Sequence, residues 1–406
     1  MTGRARYSPQ FSIGFSCAAH SMMHLLAAVF LTAVLGIERA WDQDYDSLLK
    51  LWTLGSLLLG LGAPAAGWLS DRWSQSRMIA LFFCLTGLGG ILAAMADGPT
   101  GLMLALAVIG LGGSIYHPVG IAWVVRNAEN PGRILGINGI FGAVGVGLAG
   151  LVAGSLTSWI DWRAAFWIPG VLSIAMGLAL WALIALGFII DPGSDRSPQQ
   201  PAAKADRMRA FVVLSITMLC AGLLFQSLQT AMPKIVEVDM RGMLGLAAGE
   251  APDTARIGGI VTIIYLLTSG AQVLGGLAAD RFEPRRVYVV ALAIQVPAVL
   301  LATQMADLSL FVALTALIFM NSMQLPAETV LLARYTPERH RGFAFGLKFV
   351  LSFASGPVAV WLVAATYGLR GDFLVLLLTL GALATLAAMA SWILPPPRQG
   401  VTAQPA

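Results

Sequence analysis

Long apolar runs alternate with short polar breaks along nearly the whole chain. A hydrocarbon core about 30 Å thick takes about 20 apolar residues per helical crossing, and runs of that length recur twelve times. They predict helices near 11–36, 47–70, 78–97, 101–126, 134–157 and 165–190, then 210–234, 255–280, 286–306, 309–333, 342–365 and 373–394. Between the sixth and seventh runs, Asp191 through Arg209 is the longest hydrophilic stretch. It contains Ser197-Pro198-Gln199-Gln200-Pro201 and reads as a linker. The first run is too long for a cleavable leader and carries two histidines, so it reads as a retained membrane helix.

The polar breaks repeat. Gly67-Trp68-Leu69-Ser70-Asp71-Arg72 follows the second run, and Gly276-Leu277-Ala278-Ala279-Asp280-Arg281 follows the eighth. Gly67 with Gly276, Asp71 with Asp280, Arg72 with Arg281 and Arg77 with Arg286 are each 209 positions apart in a chain of 406. The chain is therefore a doubled unit. The expected fold is an all-α membrane protein with twelve transmembrane helices in two pseudo-symmetric six-helix bundles. An N-terminal bundle at 1–190, a linker at 191–209, a C-terminal bundle at 210–396 and a tail at 397–406 follow from the same breaks.

Composition agrees. Hydrophobic residues make up 57% of the chain, charged residues 11%, and the mean hydropathy is +0.78, against roughly 25% charged residues in soluble domains. The net charge of +4 does not mark a nucleic-acid partner, because the basic residues are scattered between apolar runs. With the N-terminus inside, 18 of the 25 Lys and Arg residues face the cytoplasm, whereas the outer loops carry Glu38, Asp42, Asp44, Asp46, Glu237, Asp239, Glu250 and Asp253. This bias puts both termini in the cytoplasm; a bacterial-type inner membrane is the expected location. Cys17, Cys84 and Cys220 fall within apolar runs, as small hydrophobes do, and imply neither a disulfide framework nor a metal cluster.

Twelve helices in two halves, a linker, and a Gly-x-x-x-Asp-Arg loop after helices 2 and 8 resemble the major facilitator superfamily over essentially the full chain. Trp162-Arg163-Ala164-Ala165-Phe166, the glycines of helix 5 (Gly142, Gly145, Gly147, Gly150, Gly154), and Thr336-Pro337-Glu338-Arg339-His340-Arg341-Gly342 with Gly346 fit the same family. The resemblance implies alternating access, with Gly67, Asp71, Arg72, Arg77, Gly276, Asp280, Arg281 and Arg286 latching the cytoplasmic side. Gly67 and Gly276 read as sites of close helix approach, and the two aspartates as helix caps or partners of an arginine. Arg126 and Arg334, each eight residues after the repeat prolines Pro118 and Pro326, are expected to snorkel or to pair with Asp71 and Asp280. The first copy departs from the family in having Ser74 and Ser76 where Gly and a second base are common. Gly112-Gly113-Ser114-Ile115-Tyr116-His117-Pro118-Val119-Gly120, with His20, is similar to the fosmidomycin-resistance branch, which is known for drug efflux.

Ionisable groups within membrane helices are costly and default to functional hypotheses. His20 and His24 share a face of helix 1, His117 lies in helix 4 and Glu328 in helix 10. Helix 7 offers Gln226 and Gln229. In the superfamily helices 1, 4, 7 and 10 line the central cavity, so His20, His24, His117, Glu328, Gln226 and Gln229 are the candidate substrate and proton-coupling residues. The bland reading of each histidine is a hydrogen bond to backbone or hydroxyl; a lone deep carboxylate at Glu328 needs a reason. Lys348 is expected to snorkel. Met22 and Met23 beside the histidines raise copper, but no compact ligand set with Cys appears, so no metal site is assigned.

A phosphate-cradling loop, a Ser-His-Asp order and a His-Glu-x-x-His helix are all missing from the sequence, which argues against ATP hydrolysis, catalysis and a cofactor. The expectation is a monomeric secondary transporter in the lipid bilayer that exports a small drug-like solute or organic anion, coupled to protons. The alternatives are a metal or metal-chelate importer such as one for copper, and a non-transporting assembly factor or sensor on the same scaffold.

Overall fold

The structure is a computed structural model that describes residues 8–129, 131–191, 204–246, 250, 252–336, 347–348, 350–352 and 355–395. Residues 192–203 of the linker, the tail at 397–406, and the family-like stretch at 337–346 lie outside the described residues.

Among the described residues twelve helices are long and apolar enough to cross a membrane: α1 (Pro9–Trp41), α2 (Tyr45–Ser70), α3 (Gln75–Ala94), α4 (Pro99–Asn127), α5 (Arg133–Trp159), α6 (Ala164–Ala185), α7 (Asp206–Asp239), α8 (Thr254–Arg281), α9 (Pro284–Ala302), α10 (Asp307–Tyr335), α11 (Val350–Arg370) and α12 (Leu374–Trp392). No strand occurs among the described residues. Helices are the natural outcome where lipid cannot satisfy backbone groups. Pro9, Pro99 and Pro284 start three of them, where a missing N–H costs nothing. Ser74, Asp253 and Glu283 cap others by accepting from Arg77, Ala255 and Arg286 N–H.

The α1/α2 end of the molecule carries Glu38, Asp42, Asp44 and Asp46 and is called the acidic end below. The α2/α3 end carries the arginine-rich loops and is called the basic end. α1 and α7 overrun the expected 36 and 234 at the acidic end, reaching Trp41 and Asp239. Their extra turns hold charged residues that find partners across the molecule, so the helices continue past the apolar runs that announced them. α6 stops short of 190, at Ala185, and Gly187 follows in the left-handed region at φ 77°, a conformation that glycine adopts without strain.

Among the described residues three of these helices are interrupted: α2 at Lys50-Leu51 and again at Gly62, α4 at Ser114-Ile115 and α8 at Ser269-Gly270. Gly62 and Gly270 are 208 positions apart, the offset of Pro118 and Pro326, so the doubled unit carries its kink in both copies. A Cβ at Gly62 would fall 2.5 Å from Ser114 Oγ; the interruptions at Gly62 and Ser114 thus touch each other. The α4 break lies immediately before His117.

α5 is wedged between α1 of its own bundle and α8 of the other. Gly142 and Gly145 close on His20 and the Ser21 backbone, whereas Gly150 and Gly154 close on the Gly258 and Thr254 carbonyls. Thr262 Oγ1 donates to Gly147 O at 2.6 Å and accepts from Leu151 N–H at 2.9 Å. Small residues let two membrane helices approach at backbone distance. Gly258→Leu is accordingly expected to lower stability by about 1–3 kcal/mol through overpacking. Gly259→Leu, beside open space among the described residues, is expected to leave the thermal midpoint of the detergent-purified protein unchanged.

Candidate substrate and coupling sites

The histidines of α1 and α4 meet. His20 and His24 lie one turn apart on α1, and the break in α4 turns His117 toward them. Ring centroids are 5.1 Å apart for His20–His24, 5.3 Å for His20–His117 and 5.5 Å for His24–His117. His20 is buried, and its Nδ1 lies 2.7 Å from the Asn138 carbonyl of α5. Tyr116 stacks on His20 at 4.7 Å, and its hydroxyl bonds the Asn138 side chain at 3.0 Å. Gly142 makes room: a Cβ there would sit 2.5 Å from the His20 ring. Met22 and Met23 are buried in the apolar core cluster.

His20 and His24 open on a cavity of about 80 Å³ between the two bundles. The N-terminal half lines it with these histidines and α5 (Gly139, Gly142, Ala143, Val146), and the C-terminal half with Phe225, Tyr265, Thr268, Gln272 and Ser322. Pockets for drug-sized ligands run to about 300–1,000 Å³, so this volume holds a few waters or a small ion rather than a drug. Of the C-terminal candidates, neither glutamine is in the lining: Gln226 points its Nε2 toward Gly356 of α11, Gln229 is half-buried, and Phe225 occupies the cavity wall.

Glu328 also departs from expectation. Like His117, it is not in the cavity lining; it sits 2% exposed inside the C-terminal bundle, beside Tyr288, Ala327 and Leu331 of a separate apolar cluster. It is not unpaired: Lys348 Nζ lies 3.0 Å from Oε1, and the Tyr288 hydroxyl stands 3.1 Å from Oε2 and 2.8 Å from Thr217 Oγ1. Lys348 therefore does not snorkel. It points inward, donates to Thr329 Oγ1 at 2.8 Å as well, and has a side chain only 11% exposed. Two opposite charges on neighbouring helices neutralise each other, which costs less than burying either alone.

At the basic end the two loops bond within their own halves. Asp71 faces Arg126 at 3.8 Å, both partly solvated, a weak pair. Arg334 pairs with Glu283 at 3.3 Å rather than with Asp280. Arg72 lies over the Trp68 ring at 4.0 Å, Arg281 stands 5.9 Å from the Phe282 ring, and Arg77, Arg286 and Asp280 are exposed. Gly67 is a close-approach site, with a Cβ falling 3.3 Å from Pro118, but Gly276 faces open space among the described residues. In the second copy the contact has moved one residue, to Gly275 against the Met323 carbonyl. Ser74 and Ser76, the departures from the family pattern, hold the carboxylate of Asp191 beyond α6, at 2.6 and 3.2 Å.

The acidic end joins the halves. Lys234 of α7 reaches Glu38 of α1 at 2.8 Å and Glu237 at 2.7 Å. Arg39 meets Glu237 at 2.9 Å and Thr254 Oγ1 at 3.4 Å. Tyr45 of α2 stands under the Lys234 ammonium, 5.1 Å from ring centroid to Nζ, and against Tyr367 of α11 at 5.4 Å. Sequence reasoning counted these charges as outer-loop residues. The signal was a lysine one residue after Pro233 with an acid three residues on, at the end of an apolar run.

The buried pair in the C-terminal bundle is testable by stability alone. Lys348→Met leaves Glu328 without its counter-charge and is expected to cost about 3–5 kcal/mol. The double variant Glu328→Gln with Lys348→Met, measured by thermal melting in detergent, is expected to recover most of that loss.

The comparisons with known proteins agree with this architecture. A family model described as "Major Facilitator Superfamily" matches residues 11–252 and 244–406. A "Multidrug resistance protein B homolog" of Mycobacterium tuberculosis is 26% identical over 195 residues, covering 46% of this chain and 35% of that protein. A "Probable 4-methylmuconolactone transporter" of Cupriavidus pinatubonensis is 32% identical over 133 residues, 31% of each chain. The chain thus spans about a third of the length of these curated relatives. Among solved structures, a D-xylose-proton symporter superposes with a TM-score of 0.74 at 15% identity, covering 98% of this chain and 100% of that one, a likeness of fold. With the family model matched across both halves and twelve candidate membrane helices among the described residues, the chain belongs to the Major Facilitator Superfamily as a multi-pass membrane protein.

Proposed function

We propose that this chain is a proton-coupled exporter of a small organic solute in a bacterial-type inner membrane, working as a monomer by alternating access. The observation that carries the reading is the cavity lined by both halves, with a charge cluster that bridges them at the acidic end. Binding at the interface of two repeats that rock about it is the general design of such carriers. Residues 1–190 and 210–396 are the two bodies that move, and 191–209 links them. The basic end faces the cytoplasm, as its arginines favour, so the bridging cluster lies toward the outside. Opening toward the cytoplasm enlarges the cavity to solute size, with His20, His24 and His117 as polar contacts on one wall.

Glu328 with Lys348 is the coupling pair. Protonating Glu328 removes one charge of a buried ion pair and leaves the Lys348 ammonium without its counter-ion, so proton loading changes which arrangement of α10 and α11 is favoured. The basic-end loops, with Asp71 and Asp280, form the latch of the opposite state. Export of a drug-like solute is supported by the His117-Pro118 resemblance to the fosmidomycin-resistance branch and by the similarity to a multidrug resistance protein B homolog, and a small organic solute by the similarity to a probable 4-methylmuconolactone transporter.

The test is transport in proteoliposomes under an imposed pH gradient, with ethidium and 4-methylmuconolactone as probes. The wild type is expected to move at least one of them in a gradient-dependent way. Glu328→Gln is expected to lose the pH dependence and most of the rate, about tenfold or more for a coupling group. Gradient-driven transport that survives Glu328→Gln unchanged contradicts the coupling assignment.

A further inference from the structure

The histidine cluster has a geometry that solute contact alone does not require. His20, His24 and His117 each offer a ring nitrogen, and these atoms all lie within 4.8 Å of one another. We propose that the three imidazoles form a binding site for a divalent transition-metal ion of the zinc type, with the fourth coordination position open to the inter-bundle cavity. The assignment stands independently of the Glu328–Lys348 coupling pair.

Bond lengths set the first condition. A tetrahedral ion held at about 2.0–2.1 Å by nitrogen needs its ligands about 3.4 Å apart, so the rings close by roughly an ångström through side-chain rotation, without moving a helix. Orientation sets the second. His20 Nδ1 lies 2.7 Å from the Asn138 carbonyl, which can only accept, so Nδ1 carries the proton and Nε2 keeps its lone pair for an ion. This carbonyl–imidazole arrangement is how metal-bound histidines are usually held. The stacked Tyr116, itself tied to Asn138, keeps the ring from turning away. Space is the third condition. Gly142 leaves the His20 Nε2 edge uncovered, because a Cβ at that position would fall 2.5 Å from Nε2.

Charge decides what completes the shell. Three neutral imidazoles leave the ion its full double charge, and the clustered ligand set includes no carboxylate. An anionic fourth ligand, hydroxide or a carboxylate or phosphonate oxygen, is therefore favoured. His20 and His24 both border the cavity, so such a ligand reaches the ion from that side, past the polar groups of Thr268, Gln272 and Ser322. Imidazole ligands suit zinc, copper, iron and nickel, and three histidines with one open position match the open zinc sites that keep an exchangeable ligand.

The experiment titrates the full-length chain, purified with a tag free of histidine, with Co²⁺ and then with competing Zn²⁺. The chain has four histidines, so His340→Gln is the control for binding elsewhere. Expected is one ion per chain, with visible Co²⁺ bands of a four-coordinate site that Zn²⁺ displaces. His24→Gln and His117→Gln, each checked for a monodisperse elution profile, are expected to weaken binding at least about 100-fold, since even outer-shell changes cost 10–100-fold. His340→Gln is expected to have no effect. X-ray absorption of the wild-type Zn²⁺ form, expected to show three imidazole nitrogens, decides the matter without any variant. Binding unaffected by both substitutions, or absence of a saturable Co²⁺ spectrum, overturns the site. The transport assay above is run in metal-free buffer, so failure there and failure here are separate results.

Discussion

Two positive and two negative side chains hold the bundles together at one end, and the rest of the arrangement depends on them. Lys234 is the centre of this cluster, 8% exposed and in reach of both Glu38 and Glu237, with Arg39 balancing the charge count. A buried ammonium is tolerable only while its counter-ions stay in place. The cluster therefore exists only when the two halves are together at the acidic end, and it is lost as a unit when they part. It also explains why α1 and α7 outrun their apolar segments.

The doubled sequence keeps positions and exchanges chemistry. Ser74 and Glu283 are repeat partners, and each caps the third helix of its bundle. Ser76 and Arg285 are partners too, and each grips the tail of its bundle's last helix. Ser76 does so through the carboxylate of Asp191, and Arg285 through the carbonyls of Trp392 and Leu394 at 2.9 Å. The serines that break the family pattern in the first loop are thus matched to an acid beyond α6, so the departure is a change of partner. Chemistry for ions is divided in the same way: the N-terminal bundle holds the imidazoles and the C-terminal bundle the buried carboxylate and amine.

The fold was legible because lipid imposes one strong rule, apolar length, and the chain obeys it twelve times. Repeat spacing added the two halves, and charge placement separated the two ends. Side-chain meetings were less legible. A helix that is apolar nearly all round carries little information on its rotation about its own axis. His117 and Glu328 are both expected from the sequence to line the central cavity, yet His117 meets His20 and His24 behind its wall and Glu328 lies in an inner cluster. The meeting of His117 with His20 needed the α4 break at Ser114-Ile115, and no residue there announces a break by itself. Lys348 was misread because a cation near a helix end usually snorkels; only the presence of Glu328 on the adjoining helix reverses that preference.

In the proposed cycle the acidic-end cluster holds one of two alternating arrangements. Distances between spin labels test it most directly, with Cys17, Cys84 and Cys220 replaced and labels placed at the repeat partners Trp73 and Phe282 for the basic end, and at Asp97 and Gln304 for the acidic end. The account predicts that Lys234→Met lengthens the acidic-end distance and shortens the basic-end distance together. Two distances that stay put, or that move in the same direction, would contradict it.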